Sequence, residues 1–106
     1  MTRKQIESIK STLPRFEERT EEQKKTYKEL FCREMINSIL IYGDKPRKEN
    51  GEYDKYLQDY VNELGKDKVD ELIDEQEEDF SKAIVGYSGT DNDGLSYNYC
   101  RWADEQ

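Results

Sequence analysis

The chain has 106 residues, enough for one domain and too few for two ordinary ones. Charged residues make up 40% of it against 33% hydrophobic, and the net charge is −8. Histidine is absent, which excludes His-based nucleophile pairs and His metal sites, and neither a GxxxxGKS/T nor a GxGxxG loop is present to cradle a phosphate.

Leu, Ile, Val and Phe together number 20, a proportion that borders on disordered composition at this charge. Eight Tyr and one Trp add large amphipathic area that this count omits. A small folded domain with a thin core is therefore expected.

In chain order, Thr2 is placed to cap a first helix over 2–12, with Ile6, Ile9 and Leu13 on one face and Pro14 as its stop. Thr20 opens T-E-E-Q, a capping box with Gln23 at its third position. The second helix then runs over 20–42. Tyr27, Leu30, Phe31, Met35, Ile39 and Tyr42 recur along it at spacings of three and four, and Gly43 closes it.

Residues 44–51 (DKPRKENG) read as a polar loop with a basic centre, Lys45, Arg47 and Lys48. A third helix over 52–64, led by Asn50 or Glu52, follows with Tyr53, Tyr56, Leu57, Tyr60, Val61 and Leu64 as its apolar stripe. Asp67 caps a fourth helix over 67–85, with Val69, Leu72, Ile73, Phe80, Ala83 and Ile84 facing inward. Gln76 stands where that stripe should continue and weakens it.

Beyond this helix, residues 86–94 are rich in turn formers. The segment Leu95–Trp102 alternates apolar and polar residues and favours β-formers, so a short β-like or irregular segment within 86–103 is the preferred reading, paired back onto 84–88. A fifth helix is the rival, because Leu95, Tyr99 and Trp102 also stand four and three apart. The fold class expected is mainly α, a single small domain over 1–106 of about four helices.

The charge is unevenly distributed. Residues 1–49 carry 12 Lys/Arg and 9 Asp/Glu, whereas residues 50–106 carry 5 and 16. Asp67, Asp70, Glu71, Asp74, Glu75, Glu77, Glu78 and Asp79 crowd one helix and avoid its apolar stripe. Neighbours three or four apart lie about 5–6 Å apart, close to the spacing of phosphates along a nucleic-acid strand. Like charges so placed destabilise a helix, and a surface selected for solubility alone mixes its signs. The bland alternative is a solvated helix face.

Other features carry less. Asp91, Asp93 and Gly94 resemble part of an EF-hand loop, but Cys100 falls where a bidentate Glu is required, so no metal is expected. Asp91 and Asp93 beside Tyr97, Tyr99 and Trp102 suggest a second contact region. Cys32 and Cys100 form no CxxC and are expected to be reduced thiols. No cofactor and no catalytic residues are read from the chain, and it is expected to be non-enzymatic. No apolar run reaches bilayer length and no signal-peptide pattern opens the sequence, so a cytoplasmic protein is expected.

A carboxylate-dense helix over 67–79 with nearby aromatics at 91–102 resembles the DNA-mimic inhibitors carried by phages and mobile elements, including anti-CRISPR and anti-restriction proteins. That resemblance implies an inhibitor that occupies a basic groove of a nucleic-acid-handling protein, such as a Cas nuclease or a restriction enzyme, without binding nucleic acid or membrane itself. The alternative is a helical accessory or structural protein that self-associates or docks through its Tyr-rich face.

Overall fold

The computed structural model describes Met1, residues 3–83 and residues 92–104. Among them are five α-helices: α1 (Arg3–Thr12), α2 (Glu21–Ile41), α3 (Gln58–Leu64), α4 (Lys66–Ala83) and α5 (Asn92–Asp104). Single 3-10 turns stand at Phe16–Glu18 and Lys55–Leu57. No strand occurs among the described residues, where Arg47 and Tyr53 form one isolated antiparallel bridge. The protein is a mainly helical single domain in which α2 is central and packs against all four other helices.

The capping box forms as the sequence dictates. The Thr20 hydroxyl accepts from the Gln23 amide at 3.1 Å, and the Gln23 side chain accepts from the Thr20 amide at 2.9 Å. At the far end of α2, Gly43 takes a positive φ of 83°, a conformation that glycine adopts without strain.

The core is built from Cys32, Ile36 and Ile39 of α2, Leu57, and Val69, Leu72 and Ile73 of α4, with Tyr53, Tyr60, Val61 and Leu64 packed around it. Only Leu30 and Ile39 of the expected α2 stripe are fully buried; Phe31 and Tyr42 are exposed. The helix is apolar on two sides, and the stripe that faces α4 is Cys32, Ile36 and Ile39.

Four expectations are corrected. The C-terminal segment is a helix, not a strand. Tyr99 and Trp102, one turn apart, pack side by side with ring centroids 6.2 Å apart, and Tyr99 also meets Phe80 of α4 at 6.0 Å. The Asn98 side-chain amide donates to the Ala83 carbonyl, one of the orphan acceptors at the end of α4. Asx residues ahead of the segment favour helix initiation, which the alternation argument overlooked.

The third helix is shorter than expected. The Arg47–Tyr53 bridge holds residue 53 extended, and the Asp54 carboxylate caps the 3-10 turn by accepting from the Tyr56 amide at 2.9 Å. The regular α-helix starts only at Gln58. Tyr56 consequently leaves the apolar stripe and is exposed.

Helix α4 starts at Lys66, directly after Gly65, so Asp67 lies inside the first turn rather than capping it. Its charge still meets the positive end of the helix dipole there.

Gln76 does not weaken the seam. It is completely buried, and its side-chain amide donates to the Asn37 side chain at 2.8 Å and to the Met1 carbonyl at 2.7 Å. A buried amide with its partners in place costs little; one without them costs about 1–3 kcal/mol. The expected Thr2 cap, the hairpin partner 84–88 and Ile84 lie outside the described residues.

No helix is long and apolar enough to cross a membrane among the described residues. No disulfide joins Cys32 and Cys100. Burial pushes the Cys32 thiol up to about 12.

Candidate functional site: the acidic helix

A turn of 100° per residue separates the eight carboxylates of α4 into three strips. Val69, Leu72, Ile73, Gln76 and Ala83 form the buried side. Asp67, Glu71, Asp74 and Glu78 stand diametrically opposite, in one row rising about 16 Å along the axis. All four are exposed, with side chains of Glu71, Asp74 and Glu78 about 70% accessible. Glu77, also exposed, stands beside the row.

The flanking carboxylates turn inward. On one side, a single Asp70 oxygen accepts from Arg47 Nη1 at 2.8 Å and from the Tyr53 hydroxyl at 2.7 Å. Burial works to raise the Asp70 pKa, but those two hydrogen bonds and the Arg47 charge outweigh it and hold the carboxyl below its usual value. Tyr53 is pushed up to about 12 by burial and by its hydrogen bond to Asp70. Arg47 also reaches Asp74 at 3.4 Å.

On the other side, Glu75 accepts from the Met1 amino group at 2.9 Å and from Arg33 Nη2 at 3.1 Å. Burial again works to raise this pKa, and the Met1 ammonium and Arg33 reverse it, leaving Glu75 below its usual value. The Met1 amino group also donates to Gln76 at 2.8 Å and to Asp79. Among the described residues, three of the five cations that pair with α4 carboxylates, the Met1 amino group, Arg33 and Arg47, therefore come from segments far away in sequence, against Lys68 and Lys82 of the helix itself.

The sequence reading grouped all eight carboxylates together. The structure instead gives Asp70, Glu75 and Asp79 partners within the molecule and leaves Asp67, Glu71, Asp74, Glu77 and Glu78 facing solvent. Those partners, Arg33, Arg47, Tyr53 and the Met1 amino group, were not anticipated. The signal existed in the basic centre of the 44–51 loop, which faces an acidic helix in the same chain.

In the second contact region, Tyr97 is exposed, as a contact residue must be. Tyr99 is only 1% exposed and is corrected from contact residue to core. Asp91 and the Asp93 side chain lie outside the described residues. Among those described, no group of three or more Cys, Asp or Glu is arranged to hold a metal ion.

A surface depression of about 740 Å³ runs between α1 and α4 and borders Glu75, Glu78, Asp79 and Lys82. Comparison with known protein families, with curated proteins and with solved structures yields no match.

Proposed function

We propose that this protein is a non-enzymatic inhibitor that sets the outer row of α4 into a basic, nucleic-acid-binding groove of another protein. The observation that carries this reading is the alignment of Asp67, Glu71, Asp74 and Glu78 in one exposed row opposite the buried face. The ion pairs that the row itself makes are long: Lys68 stands 3.8 Å from Glu71, Arg47 3.4 Å from Asp74 and Lys82 3.4 Å from Glu78. Exposed pairs of this kind are worth about 0–1 kcal/mol and exchange readily for better partners.

Arg and Lys that line a nucleic-acid channel are spaced to meet phosphates, and Arg binds carboxylates bidentately. A rigid helix carrying carboxylates at comparable spacing can occupy those positions. The inward ion pairs of Asp70 and Glu75 support the reading, because they fix α4 against the loop and the N-terminal segment and so preorganise the row. Partners of the Cas-nuclease or restriction-enzyme type fit this chemistry.

The test is affinity capture, with nuclease present, using wild type and a bait carrying Asp67→Lys, Glu71→Lys, Asp74→Lys and Glu78→Lys. Capture of a nucleic-acid enzyme by wild type alone, with release as salt rises, is the expected result. Equal recovery of the same proteins by both baits would overturn the assignment.

A further inference from the structure

We propose that the aromatic groove between α2 and the 55–63 segment is the contact surface between two copies of this chain. Phe31, Tyr42 and Tyr56 are three of the four exposed large hydrophobic side chains in the described part of the molecule, and all three line this groove. It consists of two depressions of about 510 and 460 Å³ that meet at Met35 and Tyr56. Its α2 wall runs from Tyr27 to Tyr42, about 22 Å.

The groove exists because α2 is apolar on two sides. Cys32, Ile36 and Ile39 face α4 and the core. Phe31, Met35 and Tyr42 stand about a quarter turn round the helix from that strip, with Met35 at the border packed against the core and Phe31 and Tyr42 left exposed. Tyr27 packs edge-on against Phe31 with centroids 4.6 Å apart, so the rings form a continuous surface. Aromatic surface of this sort is the usual anchor of a protein contact.

Charge selects the occupant. The molecule carries −8, so two copies repel unless they meet where the net charge is small. Helix α2 carries four Lys/Arg and four Asp/Glu, whereas α4 carries three and eight. The groove rim carries little net charge, with Lys28 and Lys55 against Asp44, Asp59 and Glu63, and Lys28 bridges the groove to Glu63 at 2.8 Å.

A two-fold axis near Met35 sets the α2 helices antiparallel and brings the Lys28 end of one groove to the Tyr42–Asp44 end of the other. Cation then meets ring and carboxylate on both sides of the axis, which is the self-complementarity an isologous dimer requires. No residue of the acidic row of α4 lines the groove.

The experiment is sedimentation equilibrium on the whole chain across a concentration series, at low and high salt. The expected mass rises from 12.7 kDa to twice that value with concentration, and high salt does not reverse it. The double variant Tyr42→Lys, Tyr56→Lys alters only exposed side chains; it stays monomeric at the same concentrations with an unchanged helical circular dichroism spectrum.

A wild type that remains at 12.7 kDa throughout would overturn the proposal, as would a double variant that still dimerises. A monomeric wild type whose captured partner is lost on Tyr42→Lys, Tyr56→Lys would assign the groove to that foreign partner instead. The four-site Lys variant of α4 keeps the dimer, so this result is independent of the outcome for the acidic row.

Discussion

Arg47 donates a 2.8 Å hydrogen bond to Asp70 across 23 residues of sequence, and this one contact ties the connection between α2 and α3 to the acidic helix. Tyr53 donates to the same carboxylate oxygen, and the Arg47–Tyr53 bridge holds the two donors side by side. A residue that looks like part of an acidic patch is thereby an internal structural acceptor.

Removing either partner breaks the close ion pair, leaving Arg47 only its 3.4 Å contact with Asp74 or Asp70 only the Tyr53 hydroxyl. Arg47→Ala and Asp70→Asn should each destabilise the fold, and a double-mutant cycle by urea denaturation should give a coupling of about 1 kcal/mol. A coupling near zero would mean the pair is solvated in solution.

The two strips of α4 should respond oppositely to the same chemistry. Neutralising the outer row with Asp67→Asn, Glu71→Gln, Asp74→Asn and Glu78→Gln removes like-charge neighbours and weak exposed pairs together, so stability should change by less than about 0.5 kcal/mol. Asp70→Asn with Glu75→Gln should lower the thermal midpoint clearly. Equal effects would contradict the division of the helix into inner and outer strips.

Acid should remove part of the stability. Asp70 and Glu75 have folded pKa values below their unfolded ones, so their contribution is complete above the ordinary carboxylate range. It is lost as pH falls through about 4 and toward the depressed folded values. Protonation of the outer row relieves repulsion in the same range. The informative quantity is therefore the stability difference between wild type and the Asp70→Asn, Glu75→Gln variant, measured by denaturation from pH 7 downward. That difference should be largest near neutrality and vanish in acid.

Gln76 should behave as a buried polar link. Gln76→Ala leaves the Asn37 side-chain oxygen without its donor and should cost about 1–3 kcal/mol. Replacing both with Leu should recover part of that loss, because no unpaired amide then remains between α2 and α4. Chemical denaturation of wild type and the two variants distinguishes this from a simple cavity effect, which the double replacement would not correct in the same way.

Cys32 should be inert while the protein is folded. It is fully buried and its thiol is shifted up to about 12, so little thiolate exists to react. In a Cys100→Ser background, a thiol reagent at pH 8 should label Cys32 only at the rate of unfolding. Rapid labelling would show that the contact between α2 and α4 opens readily.

Much of this was legible in the sequence. Thr20 and Gln23 announced the start of α2 through local chemistry alone, and the apolar period of α4 placed its carboxylates outside the core. What stayed hidden depended on distant partners. The α2 stripe through Phe31 and Tyr42 had good helical spacing but lines a groove, because α2 has two apolar sides and periodicity does not say which one α4 covers. Gln76 read as a defect because its partners, Asn37 and Met1, lie 39 and 75 residues away.

The outer and inner carboxylates were inseparable for the same reason: only the fold brings Arg47 and Arg33 to their edges. The C-terminal segment fitted two periods at once, and the contact of Tyr99 with Phe80 decided for the helix.

The central claim is that the outer row of α4 occupies a site otherwise filled by nucleic acid. Its most direct test is fluorescence anisotropy of a labelled DNA duplex bound to the nucleic-acid enzyme captured by wild type, titrated with this protein at two salt concentrations. The account predicts displacement of the duplex by wild type, weaker displacement at the higher salt, and none by the Asp67→Lys, Glu71→Lys, Asp74→Lys, Glu78→Lys variant. A duplex that stays bound while wild type also binds, or displacement undiminished in that variant, would contradict it.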